Sequence, residues 1–221
     1  MEDFFSDKWC NDFSCAAFEM GVNINSKIIQ SFASYGKELI KWNKIHNLTS
    51  ITDPAEIAVK HFLDSLSIAS LIKQNQETTI LDVGSGPGFP GIPLAIVFPS
   101  ISILLLDSSR KKNSFQKYLK SRLNLNNIKP VNKRIEDFRN IDEYQKSFQF
   151  VISRAFSNIN KLIPLVEPLI LDVGKIIAMK AEKTESELDN FLYAKHYNVI
   201  KKQYILPFIN QKRFLLIFTK K

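Results

Sequence analysis

Four of the chain's seven glycines, Gly84, Gly86, Gly88 and Gly91, fall within eight residues, in the run Ile80-Leu-Asp-Val-Gly-Ser-Gly-Pro-Gly-Phe-Pro-Gly-Ile-Pro-Leu94. Glycine permits positive φ and a close approach of backbone to ligand, and the turn after a strand is where open α/β sheets bind nucleotides. A tight turn alone does not need four. Gly86-Pro-Gly88-Phe-Pro-Gly91 matches G-x-G-x-x-G, and Asp107 follows Gly84 by 23 residues, close to the spacing of a ribose-binding acid. Two features argue against a dinucleotide. Asp82 stands just before the first glycine, where it would repel a pyrophosphate but attract the ammonium of a methionine moiety. Pro90 and Pro93 lack the N–H groups that a pyrophosphate needs. S-adenosylmethionine has no phosphate and carries a sulfonium, an ammonium and a ribose, so it suits Asp-x-Gly-x-Gly-x-Gly better. Asp107 has an alternative role as a cap for the helix that follows, but ribose contact is the preferred reading.

Such residues need a sheet to hold them. After Gln76, short apolar runs at 78–83, 101–107, 128–132, 148–153, 175–180, 197–205 and 213–219 read as strands, with helices near 91–97, 112–123, 158–170 and 183–194. This alternation predicts an α/β fold: βαβ units in a doubly wound, mostly parallel seven-stranded sheet covered on both faces. The last two strands have no helix between them and read as a hairpin with one antiparallel strand. Upstream, Ile28, Ile29, Phe32, Tyr35, Leu39 and Ile40 recur at helical steps and predict a helix from Ser26 to about Lys44. A second helix opens with Asp53 as cap, Pro54 in the first turn and Glu56 at capping-box spacing, and runs to about Ile72. The chain thus divides into a helical N-terminal extension, 1–73, packed on a ligand-binding domain, 74–221.

At 221 residues, 45% hydrophobic and 24% charged, the chain is long enough for one domain with a small extension, and its composition excludes disordered and collagen-like classes. Apolar runs such as Ile101–Leu106 fall far short of the ~20 residues that cross a bilayer. No membrane partner is expected. Cys10 and Cys15 are the only cysteines, and Met1–Ser6 lack a basic, then apolar, secretory pattern, so a cytoplasmic location is expected. The chain is read as a monomer. Its formal charge of +8 is unevenly spread: residues 110–134 carry +9 and residues 195–221 carry +7, neither with a carboxylate. Segregated positive charge points to a polyanionic partner, with a solvated helix face and a basic tail as the plainer alternative.

Successive motifs resemble a known family. Trp42-Asn-Lys-Ile-His-Asn-Leu-Thr-Ser50, His61-Phe-Leu-Asp-Ser65, the loop Asp82–Pro93, Leu106-Asp-Ser108, Arg134-Ile-Glu136 and Ser153-Arg-Ala-Phe156 resemble, in order, those of the glucose-inhibited division protein B family, the ribosomal RNA small-subunit methyltransferases G. The resemblance covers about residues 38–182 and is most specific at Gly-Phe-Pro-Gly-Ile-Pro. It implies a class I, Rossmann-like methyltransferase that uses S-adenosylmethionine to methylate guanine N7 in 16S ribosomal RNA, as free RNA or in the small subunit. It also implies cofactor contacts at Gly84 and Phe89 of the loop, at Ile135 and Glu136 after the third strand, and at Arg154 after the fourth. Gly86 and Asp107 join them from the loop reading. Phe89 would pack against the ligand, Ile135 and Glu136 would hold adenine through backbone N–H groups and an apolar contact, and Arg154 would stand near the transfer point or RNA.

Guanine N7 carries a lone pair in the neutral base, so alignment and exclusion of water suffice, and no catalytic base is expected. Carbon-5 pyrimidine methylation needs a thiolate, yet both cysteines precede the glycine loop. No metal site is expected from three scattered histidines. His61 and Asp64 share one helix face, as a surface hydrogen bond or as an RNA or active-site contact. Two rival functions share these features: an NAD-dependent oxidoreductase, and an RNA-binding module without catalysis.

Overall fold

The computed structural model describes residues 4, 6–72, 77–154, 156, 158–181 and 187–221. Its strands are β1 (Thr79–Val83), β2 (Ser102–Asp107), β3 (Ile128–Asn132), β4 (Phe148–Arg154), β5 (Ile170–Ala181), β6 (Tyr197–Leu206) and β7 (Gln211–Lys220). They form one sheet in the order β3-β2-β1-β4-β5-β7-β6. The first five pair in parallel, and β7 runs antiparallel between β5 and β6. The seven strands and the terminal hairpin match the sequence reading.

Alternation along the strands sorts side chains to two covered faces. Ile80, Ile103, Leu105, Ile152, Leu215 and Ile217 join a core that also contains Trp9, Phe13, Phe32, Leu39 and Phe62 of the extension. Leu81, Leu104, Leu106, Val151, Leu216 and Phe218 face the second core with Phe138, Ile159 and Leu162. The extension therefore covers one face of the sheet. The proposed division after residue 73 falls outside the described residues.

The helices are α1 (Asp7–Glu19), α2 (Ser26–His46), α3 (Pro54–Ile57), α4 (Asp64–Leu66), α5 (Gly91–Val97), α6 (Arg110–Arg122), α7 (Ile135–Phe138) and α8 (Ile159–Val166). Sequence reading left α1 unassigned. Its Trp9, Phe13, Ala16 and Ala17 are buried at helical spacing, with Ser6 capping Trp9 N. The single helix expected from Asp53 to Ile72 is broken. Asp53 does cap, taking Ala55 N and Glu56 N at 3.0 Å, but Glu56 turns to Lys60 and closes no capping box. Ala58–Leu63 then winds as a π-helical turn and Ala69–Leu71 as a 3₁₀ turn. Hydroxyls of Ser65 and Ser67 bond back to His61 O and Asp64 O, an alternative to continuing the helical ladder. The helix expected over 183–194 is corrected as well: its described part, 187–194, is one short 3₁₀ segment and turns, with Asn160 Oδ1 accepting from Leu192 N and Asn160 Nδ2 donating to Asn190 O.

Candidate active site

The tips of β1 and β2 border a recess of about 220 Å³ walled by Gly84, Asp107, Lys133, Ile135, Glu136 and Phe156, among others. Its floor is the glycine loop, pinned from several sides. Gly84 N and Ser85 N donate to Leu106 O at 2.9 and 3.1 Å. Gly86 N donates to Asp107 Oδ2, and Gly91 N to Asp82 Oδ2, each at 2.8 Å. From α6 the fully buried Gln116 donates to Ser85 Oγ and Gly86 O at 2.8 and 2.7 Å. From α2, Tyr35 donates its hydroxyl to Pro87 O at 2.8 Å.

The four glycines divide by role. Gly84 and Gly86 have φ of +71° and +58°, and a Cβ on Gly84 would meet nothing within 4 Å, one on Gly86 only Gly84 O at 4.0 Å. A Cβ on Gly88 would collide with Ile92, and one on Gly91 with Leu105. Gly84 keeps the loop's surface open at the recess, Gly86 takes a positive φ in the buried turn behind it, and the other two let the loop pack closely on α5 and β2.

Asp107 fixes both the glycine loop and the turn that leads into α6. One oxygen holds Gly86 N and the other accepts from Ser109 N at 2.8 Å before α6, while the carboxylate still borders the recess. Each oxygen retains a lone pair for a hydroxyl donor. Ile135 and Glu136 open α7, whose first N–H groups have no intrahelical partner and no side-chain cap. Both line the recess.

Two expectations need correction. Asp82 does not meet the recess: it is fully buried, turned toward the start of α5. Burial pushes its carboxyl up to about 7, against the Gly91 hydrogen bond and the Arg154 charge, which favour ionisation. The Phe89 ring, expected against the ligand, is 2% exposed and lies in the core, stacked on Tyr35 and His61 at centroid distances of 5.3 and 4.4 Å.

Phe89 instead supports Arg154, whose guanidinium carbon lies 4.9 Å from the ring centroid. Arg154 ends β4 at a second recess, of about 340 Å³, bordered also by Lys60, His61, Asp64, Tyr204 and Arg213. Its guanidinium donates to Lys60 O at 3.0 Å, to Asp64 Oδ2 at 3.3 Å and to His61 Nδ1 at 3.2 Å. Because arginine only donates, His61 Nδ1 must accept, which places the ring proton on Nε2, 2.9 Å from Thr49 Oγ1. Burial, reinforced by the Arg154 charge, lowers the His61 pKa to about 3 and keeps the ring neutral. Asp64 also accepts from the Tyr204 hydroxyl at 2.8 Å. His61 and Asp64 are thus buried partners of Arg154 rather than surface groups. The π-helical turn brings both side chains to the tip of β4, and cross-strand pairing sets Tyr204 beside Arg213.

Among the described residues no cluster of three or more His, Cys, Asp or Glu is placed to hold a metal, and no helix is long and apolar enough to cross a membrane. Solved structures share the fold. A SAM-dependent methyltransferase from Aquifex aeolicus superposes with a TM-score of 0.60 at 14% identity, covering 78% of this chain and 96% of its own. A precorrin-6y C5,15-methyltransferase from Geobacter metallireducens gives 0.57 at 15% identity, covering 72% and 88%. Curated relatives are nearer in sequence. The ribosomal RNA small subunit methyltransferase G of Oceanobacillus iheyensis is 40% identical over 80% of this chain and 74% of its own length. That of Geobacter sulfurreducens is 36% identical over 94% and 95%. With residues 28–215 also matching the family described as rRNA small subunit methyltransferase G, both recesses lie inside a shared framework, and the chain belongs to that family.

Proposed function

We propose that the chain transfers the methyl group of S-adenosylmethionine to N7 of a guanine in 16S ribosomal RNA of the small ribosomal subunit. The observation that carries this reading is the open wall at Gly84, exposed beside the recess with room for a ligand in a chain of this family. Asp107 would accept from ribose hydroxyls, and the N–H groups of Ile135 and Glu136 would meet the adenine edge. Phe89 would act through Arg154, which packs on its ring and would stand between the donor and the RNA. A cytoplasmic enzyme follows from a ribosomal substrate.

When bound, the donor supplies a methyl group on a sulfonium leaving group. The N7 lone pair forms the new bond to the methyl carbon as the carbon–sulfur bond breaks, with its electron pair going to sulfur. No proton leaves, so the protein's work is alignment and exclusion of water. Arg154 suits this task, since its hydrogen bonds to Lys60, Asp64 and His61 hold the guanidinium in one orientation.

The test is transfer of labelled methyl to unmodified small ribosomal subunits and to their extracted 16S RNA, with the modified base mapped. N7-methylguanine at one position is the expected product. Absence of transfer to either substrate, or thermal stabilisation by NAD but not by S-adenosylhomocysteine, overturns the reading.

A further inference from the structure

The second recess holds an unbalanced charge. Among the described residues four cations line it, Lys60, Arg154, Lys180 and Arg213, against one lining carboxylate, Asp64. The two lysines have carboxylates of their own. Lys60 pairs with Glu56, and Lys180 with both oxygens of Glu187 at 2.9 and 3.0 Å. The two guanidiniums share Asp64, with Arg154 at 3.3 Å and Arg213 at 3.9 Å. His61 adds no charge, because its Nδ1 accepts from Arg154. Among the described residues one positive charge is left over. Arg213 Nε is also buried without a hydrogen-bond partner, since 3.9 Å to Asp64 exceeds hydrogen-bonding range.

A phosphodiester carries one negative charge and two non-bridging oxygens, and a guanidinium matches it through paired N–H groups. We propose that this recess binds one backbone phosphate of the RNA strand, beside the base that is methylated, with Arg213 as its principal ligand and Asp64 holding the two guanidiniums apart. The site rests on the reading of the protein as an RNA methyltransferase. Its place favours a strand that continues outward, because exposed Lys202, on the face of the hairpin that carries Tyr204 and Arg213, extends the positive charge.

The experiment measures binding of unmodified small subunits, and of their 16S RNA, across a salt series. Releasing one phosphate contact lowers the slope of log affinity against log salt by about one and weakens binding about five- to tenfold at low salt. Arg213→Gln is expected to show both effects, with affinity for S-adenosylmethionine unchanged by calorimetry. Arg213→Lys, which keeps the charge and loses the fork, is expected to retain the slope and lose part of the affinity. Lys146→Gln removes an equal charge just before the start of β4, the opposite end of that strand from Arg154, where Lys146 pairs with Asp172, and is expected to change little. An unchanged slope in Arg213→Gln, an unchanged affinity in Arg213→Lys, or an equal loss in Lys146→Gln overturns the proposal. If the parent methylates subunits while Arg213→Gln keeps its slope, only the phosphate site fails. A parent that neither binds nor methylates them fails the proposed reaction, and the phosphate site with it.

Discussion

The recess beside β1 and the recess beyond β4 use different materials. The first is built from backbone: an open glycine, a loop N–H fixed by an aspartate, and the start of a short helix. The second is built from charged side chains, brought from the π-helical turn of the extension, the tip of β4 and the terminal hairpin. A backbone site comes with the βαβ unit and depends on the positive φ of Gly84 and Gly86, whereas a side-chain site needs three distant segments in register. The loop can therefore be read locally, while the arginine cluster is a product of tertiary structure.

The sharpest way to break this division is at Gly84. Gly84→Val forces a branched side chain into a positive φ and into the recess, and is expected to reduce S-adenosylmethionine affinity at least about a hundredfold by calorimetry while RNA affinity stays at the parental value. Parallel loss of both would merge the two sites. Next is Asp64→Asn, which leaves Arg154 and Arg213 without their shared carboxylate. Removing one partner of a buried pair costs about 3–5 kcal/mol, and because Arg154 and Arg213 are 20% and 21% exposed, about 2–3 kcal/mol is expected in denaturant unfolding.

A third test uses opposing titrations behind the two recesses. Asp82 is raised from 3.8 to about 7 in the fold, so its protonated form is favoured and its contribution to stability falls as pH rises through that window. His61 is lowered from 6.5 to about 3, so its contribution is complete above 6.5 and is lost as pH falls. Between about 4 and 6.5 the two slopes cancel in the parent. Asp82→Asn should therefore add a positive slope, relative to the parent, of about 1.4 kcal/mol per pH unit, and His61→Gln a negative one of similar size. Unfolding midpoints at several pH values check this, and equal slopes in both variants would refute it. The smallest effect is expected from Lys111→Gln with Lys112→Gln, on the basic helix beside the first recess. A few-fold weaker RNA binding and a shallower salt dependence are expected, at unchanged donor affinity. Unchanged RNA affinity would return that helix to a solvated face.

Much of the sheet was legible because strands covered on both faces read as short apolar runs, and each expected strand overlaps the observed one. Of the residues that border the first recess, Gly84 and Asp107 were legible for a related reason: they sit where strands end, a position visible in the chain, whereas Ile135 and Glu136 were marked only by the family resemblance. Phe89 and Asp82 were misplaced because a residue's position in a loop does not say which way its side chain turns. The roles of Tyr35 and Gln116 were hidden, since a buried residue that holds a loop looks like any other on an apolar helix face. The partnership of Tyr204 and Arg213 depends on hairpin register, with Tyr204 opposite Arg213 and Arg213 opposite Ala181. The break in the helix after Asp53 had no glycine to announce it.

The position of β7 bears on when the arginine cluster can form. This strand follows β6 in the chain, yet it lies inside the sheet, between β5 and β6. Until its ten residues insert, β5 has an open edge, β6 has no neighbour and Arg213 has not reached Asp64. One insertion thus closes the sheet and completes the arginine cluster together, so a chain folded only through β6 carries the first recess without the second.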